Sequence, residues 1–94
     1  MKLFVKDIVD DTYTNASGYS LFTILKDYLH KGQFIVLSFK GSTPPSSSFL
    51  NSSIGELLDE FGFNKFKKMV NLVDLTPTQA QVLKNYFNSC MTEW

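Results

Sequence analysis

Phe34-Ile35-Val36-Leu37 is the stretch that most restricts the fold. Four apolar residues in unbroken succession, two of them β-branched, follow Gly32. They end at Gly41-Ser42-Thr43-Pro44-Pro45. A continuous rather than alternating apolar run predicts a central strand covered on both faces or nearly so. The two prolines terminate it, because proline cannot donate to a central ladder. A strand is therefore predicted over 33–39. Two weaker runs offer it neighbours. Lys2 to Val9 reads as a strand over 3–9, and Val70-Asn71-Leu72-Val73 as a strand over 69–74.

Helical spacing fills the gaps between these runs. Leu21, Ile24, Leu25, Tyr28 and Leu29 recur at i, i+3, i+4, i+7 and i+8, predicting a helix over 17–31 that closes at Lys31 and Gly32. Leu50, Ile54, Leu57, Leu58 and Phe61 share one face of a second helix over 48–61, with Gly62 placed for a left-handed cap. Phe63 to Lys68 reads as a further turn or a loop. Thr76-Pro77-Thr78-Gln79 starts a third helix over 77–90: Thr76 caps, Pro77 fits the first turn and Gln79 completes a capping box. Ala80, Leu83, Phe87 and Cys90 are expected on its inner face. Asp10 to Gly18 is polar and turn-like.

The order β-α-β-α-β-α predicts an α/β fold with a three- to four-stranded, largely parallel or mixed sheet and helices mainly on one face. The N-terminal segment is available for an extra antiparallel piece. Ninety-four residues leave room for one core, so a single domain over 1–94 is expected.

Charge and cysteine usage exclude several classes. Nine basic and nine acidic side chains cancel, and Lys65, Lys67 and Lys68 form the one dense basic spot. A nucleic-acid partner is not expected from such a balance; the lysines read as a solvated helix end. Cys90 is the sole cysteine, so no intramolecular disulfide and no paired-cysteine metal site can form. No apolar run approaches the ~18 residues of a membrane span, and the start lacks a signal-type apolar region. The expectation is a reduced, soluble, cytoplasmic protein, bacterial in style, with no membrane partner.

The residues offer little for catalysis. His30 is the only histidine and sits where a cation meets a helix C-terminus. Asp59 and Glu60 are adjacent, so they diverge on a helix and do not form an acid/base pair. Lys40-Gly41-Ser42-Thr43 lacks the glycine-rich lead of a phosphate loop and reads as a strand-end turn. No enzyme activity, no cofactor and no metal site are expected.

Hydroxyls crowd the start of the second helix, in Ser46-Ser47-Ser48-Phe49-Leu50-Asn51-Ser52-Ser53-Ile54-Gly55-Glu56. Ser47 or Ser48 can cap a helix beginning at Phe49, and Ser53 with Glu56 spells a second capping box. Capping does not need all of these serines. A phosphate on a serine at a helix start is tolerated by its own chain, yet changes the charge of any docking surface there.

The arrangement resembles STAS domains, the anti-sigma-factor antagonist fold, and more closely the short STAS-like bacterial family of unknown function. The residues carrying the resemblance are Phe39-Lys40-Gly41 at the strand end, Ser48-Phe49-Leu50-Asn51 at the helix start and Val70 to Val73, within about residues 16 to 87. Phe49-Leu50-Asn51-Ser52 matches the Phe-Met-Asp-Ser of antagonists, so the phosphoserine role falls on Ser52, with Ser53 the neighbouring candidate. Asn51 stands in place of the aspartate, and Ile54-Gly55-Glu56 in place of Gly-Leu-Gly.

The resemblance implies a non-enzymatic signalling module that docks a histidine-kinase-like (GHKL) ATPase, kinase or anti-sigma factor. Ser46, Ser47, Ser48, Asn51, Ser52, Gly55 and Glu56 are its candidate partner-binding residues. Phe63 and Phe66 are either an added anchor or core beneath the following loop. A small-ligand site at the strand carboxyl ends, Phe39 to Ser48 and Asp74 to Pro77, is the alternative. A third reading is a structural subunit, monomeric or weakly homodimeric through an uncovered sheet face.

Overall fold

In the computed structural model of the chain, the backbone is described for residues 1–91 and side chains through Ser89. Three strands form one sheet in the order β1 (Lys2–Phe4), β2 (Ile35–Ser38), β3 (Val70–Val73), and both pairings are parallel. The register aligns Leu3 with Leu37 and Leu37 with Leu72, so these side chains share one face. Ile35, Leu37 and Val70 on that face are buried against helical leucines and phenylalanines in a single apolar cluster. Val36, on the opposite face, is only half-buried, and Phe34 is 61% exposed. The apolar run is thus covered on one face, not two, in keeping with helices on one side of a small sheet.

The first strand is shorter than expected and pairs parallel, not antiparallel. Only Lys2–Phe4 pair; Val5–Ile8 wind into a helical turn, α1, closed by Val9 N–H on the Val5 carbonyl. The reason lies in its neighbour. β2 ends at Ser38, the residue that pairs with Phe4, so the first strand has no ladder beyond that point. Winding satisfies the backbone and turns Val5 fully into the core.

Helix α2 (Asn15–His30) lies within two residues of the predicted bounds and buries Leu21, Leu25 and Leu29. Ile24 escapes at 41% exposed. The turn-like segment before it is a built cap. Asp11 accepts from the N–H groups of Tyr13 and Thr14 and from the Thr14 hydroxyl, and Thr14 in turn accepts from Ser17 N–H. Desolvation opposes charge on Asp11, but these hydrogen bonds outweigh it and hold the carboxyl below its ordinary range.

The second predicted helix is two, α3 (Ser47–Ser52) and α4 (Ile54–Phe61), broken at Ser53 with φ −113° and ψ −84°. The cap of α3 is Ser46, whose side chain accepts from Phe49 N–H, not Ser47 or Ser48. The second capping box does not form. The Ser53 hydroxyl points back and donates to the Phe49 carbonyl at 2.7 Å, the back-bonding that bends helices. Gly62, at φ +84°, ends α4 and leads directly into α5 (Phe63–Met69).

Helix α6 (Pro77–Met91) begins with the predicted capping box. Thr76 N–H donates to Gln79 Oε1 at 3.0 Å, and Gln79 N–H donates to Thr76 Oγ1 at 3.1 Å. Its inner face is rotated from expectation, because Gln79 is buried and Ala80 exposed. The Gln79 amide donates to the Ser42 carbonyl at 2.6 Å, which compensates its burial and pins the helix start to the loop after β2. Leu83 and Phe87 face inward as expected. The side chain of Cys90, also expected there, lies outside the described residues.

Candidate functional site

The serine segment sits where α3 crosses the first turn of α2. Gly18 explains the closeness. A Cβ there would overlap the Phe49 carbonyl oxygen and lie 2.9 Å from Ser52 Cβ, so the two helices meet backbone to backbone. Phe49 and Leu50 are fully buried beside this contact and fix α3 in rotation. Each such side chain contributes roughly 1.5–3 kcal/mol by leaving water. The result is a serine-bearing surface held on buried anchors.

Within that surface the serines have separate fates. Ser46 caps α3 and also donates to the Tyr13 carbonyl at 2.9 Å, tying α3 to the turn before α2. Ser47 and Ser48 are exposed on the first turn. Ser53 is fully buried, with its hydroxyl committed to Phe49. Ser52 is half-buried at the end of α3, and its hydroxyl donates to Asn15 Oδ1 at 3.3 Å. Asn15 is the first residue of α2, so Ser52 faces a helix N-terminus whose leading N–H groups lack intrahelical partners.

Ser52 also lines an open groove of about 440 Å3 with Asn15, Ala16, Tyr19, Phe22 and Glu56. Tyr19 is 56% exposed and lies against Phe22, their ring centroids 5.9 Å apart. Glu56 is the one charged side chain in the lining, four residues beyond Ser52 on the same side of the chain. Asn51 and Gly55 stand on the neighbouring face and meet α6. Tyr86 Oη donates to Asn51 Oδ1 at 3.0 Å, and a Cβ on Gly55 would overlap that same hydroxyl. Of the residues named from sequence, Ser52 and Glu56 share the groove, Ser47 and Ser48 border it in chain order, and Ser46, Asn51 and Gly55 serve the contacts that hold it in place.

Asn15, Tyr19 and Phe22 are the groove residues that sequence reasoning missed. Their spacing follows one face of α2 beside its core face, and an aromatic residue pair on that face was the available signal. His30, read as a helix-end charge, makes a specific contact. Its Nε2 lies 2.8 Å from Glu60 Oε2, and its ring lies against Phe61 with centroids 5.0 Å apart, joining the end of α2 to α4. That hydrogen bond, set against desolvation and aided by Lys26 at 3.4 Å, lowers the Glu60 pKa. Phe66 is core, and Phe63 is half-buried against Phe87.

At the strand carboxyl ends, polar groups bond one another. Ser38 donates to Asp74 Oδ2 at 2.6 Å, Gln79 donates to the Ser42 carbonyl and Thr12 Oγ1 lies 2.6 Å from Thr43 Oγ1. The Ser38 bond leads in lowering the Asp74 pKa against desolvation, with Lys2 assisting. Asp74 sits at φ +57°, which aims its backbone into the turn before α6. Among the described residues, no cluster of three potential metal ligands occurs.

The comparison with protein families bears on the whole of this region. The model of the STAS-like domain of unknown function (DUF4325) matches residues 17–80. The chain belongs to this family. The match runs from the first turn of α2 through the capping box of α6, and so spans both helices of the groove. No curated protein and no solved structure matches the chain. Among the described residues of this STAS-like domain, no helix is long and apolar enough to cross a membrane.

Proposed function

We propose that this STAS-like domain is a non-enzymatic docking module of a cytoplasmic partner switch, controlled by phosphorylation of Ser52. The observation that carries the reading is the setting of that one hydroxyl. Ser52 lies at the rim of an aromatic groove, against the first turn of a sixteen-residue helix, while Ser46 and Ser53 are committed to caps and back-bonding. A phosphate on Ser52 is favoured by the leading N–H groups of α2 and so leaves the fold intact. The same phosphate joins Glu56 and turns a groove with one acidic group into a strongly acidic one, which expels an apolar or acidic partner surface.

The partner class is a histidine-kinase-like ATPase, by the family resemblance, and its contact is an apolar side chain seated between Tyr19 and Phe22. A docking role rather than catalysis follows from what Ser52 meets. Its hydroxyl is paired with an amide oxygen, which cannot act as a general base. The ligand alternative is less favoured, because a ligand at the strand ends would have to displace the bonds among Ser38, Asp74, Gln79 and Ser42.

The test uses a histidine-kinase-like ATPase domain from the same genome, with ATP, followed by mass spectrometry and a calorimetric titration. The expected result is phosphate on Ser52, binding by the unmodified chain, and loss of binding in Ser52→Asp. Tyr19→Ala should weaken binding about tenfold or more, as interface aromatics do. Undiminished binding by both variants refutes the proposal.

A further inference from the structure

We propose that the groove between α5, β3 and α6 receives an extended, acidic segment of a partner protein, added as a fourth strand on the open edge of β3. This groove, of about 470 Å3, shares no residue with the one at Ser52. Its apolar lining includes Phe63, Phe66, Leu72 and Phe87, and Phe87 meets Phe63 and Phe66 at ring separations of 6.0 and 6.1 Å. The aromatic wall is already assembled, so a ligand need not order it on binding.

The strand beside that wall has a free edge. β3 pairs with β2 alone among the described residues. The bond from Phe39 N–H to the Val73 carbonyl fixes which backbone groups face β2. In a parallel ladder, alternate residues bond to opposite sides, so Asn71 and Val73 turn inward and Leu72 turns its N–H and C=O outward. Such a row accepts another strand, whose main chain supplies affinity while alternate side chains enter the adjoining pocket.

Charge selects the occupant. Lys67 and Lys84 also line the groove, and neither is in an ion pair among the described residues. Lys65 and Lys68 add to the positive field of α5. Pairing of two copies edge to edge would bring the same lysines together, which disfavours a second copy of this chain. An apolar strand flanked by Asp or Glu is attracted instead.

The probe is a displayed random-peptide library selected on the full chain, with the enriched peptides synthesised and titrated by fluorescence anisotropy. Enriched sequences should alternate apolar residues and carry Asp or Glu at the flanks. Lys67→Glu with Lys84→Glu should lower their affinity about tenfold or more, with a smaller loss at high salt. N-methylation of successive peptide amides should abolish binding at every second position. Circular dichroism of the charge-reversed chain confirms that it is folded. Three results overturn the proposal: no enrichment over the charge-reversed chain, N-methyl effects without alternation, or dimerisation through this edge that the peptides compete away.

Discussion

Replacing Ser52 by aspartate separates a switch from a structural hydroxyl, and the structure sets the size of each effect. The substitution removes one long hydrogen bond, Ser52 Oγ to Asn15 Oδ1 at 3.3 Å on a half-exposed site. Such a bond is worth about 0.5–1 kcal/mol at most. The carboxylate gains the field of the α2 N-terminus, about 0.3–1 kcal/mol. Repulsion from Glu56 four residues on takes back about 0.2–0.5 kcal/mol. Rotation of the Asn15 amide turns an acceptor into a donor and removes the remaining clash. The contributions nearly cancel, so stability should change by less than about 1 kcal/mol, or a Tm shift within about 4–8 °C for a domain of this size. Binding should respond very differently, because the added charge has to lose water inside an aromatic groove; a loss of about tenfold or more is expected. Thermal unfolding followed by circular dichroism, beside a calorimetric titration of the ATPase domain, reads both. An aspartate variant that melts as expected but binds with unchanged affinity would refute the reasoning, and Ser52 would be a helix-contact residue only.

Gly18→Ala should destabilise the chain by about 1–3 kcal/mol in chemical unfolding, although alanine is the better helix former, because its Cβ meets the Phe49 carbonyl oxygen. Gly55→Ala should also destabilise, and Tyr86→Phe in the same chain should restore much of the loss by removing the hydroxyl that the new Cβ strikes. Thr76→Ala should cost about 0.5–2 kcal/mol by opening the α6 capping box, again measured by chemical unfolding. The folded pKa of Glu60 lies below its ordinary 4.5, so its pairing with His30 and Lys26 stabilises the fold above that value and is lost as pH falls through the depressed pKa. His30→Ala should therefore raise the Glu60 pKa in an NMR titration and narrow the stability difference between neutral and acid pH.

The elements that sequence made legible are those with a local cause. Three helices and three strands follow from apolar spacing, and the α6 start follows from Thr76, Pro77 and Gln79. The misreadings have non-local causes. Val5–Ile8 carries strand-forming residues but winds into helix, since β2 has no residue left to pair with them. Ala80 and Gln79 exchange places because the Ser42 carbonyl, thirty-seven residues from Gln79, offers the amide a partner. Phe34 belongs to the apolar run by composition, yet it precedes the first paired residue of β2 and stays exposed.

The serine segment shows the same division at the scale of a site. Sequence identifies a surplus of hydroxyls and the positions open to capping. It does not reveal which serine caps, because Ser46, Ser47 and Ser48 are equivalent in chemistry. Ser46 is selected by a second bond to the Tyr13 carbonyl, supplied by the turn that Asp11 organises before α2. Once Ser46 is the cap, α3 begins at Ser47, and one further turn carries Ser52 against Asn15 while Ser53 points inward at Phe49. The difference between an accessible serine and a buried one is thus a single residue of helical phase, set by a loop in another part of the chain. A one-residue insertion between Pro45 and Ser46 should leave that phase unchanged, since the cap is fixed by its own bond to Tyr13. Replacing Ser46 by alanine should free the phase and cost about 0.5–2 kcal/mol. Hydrogen exchange on α3, fast in Ser46→Ala and slow in the insertion variant, distinguishes a phase held by the cap from one held by the length of the loop.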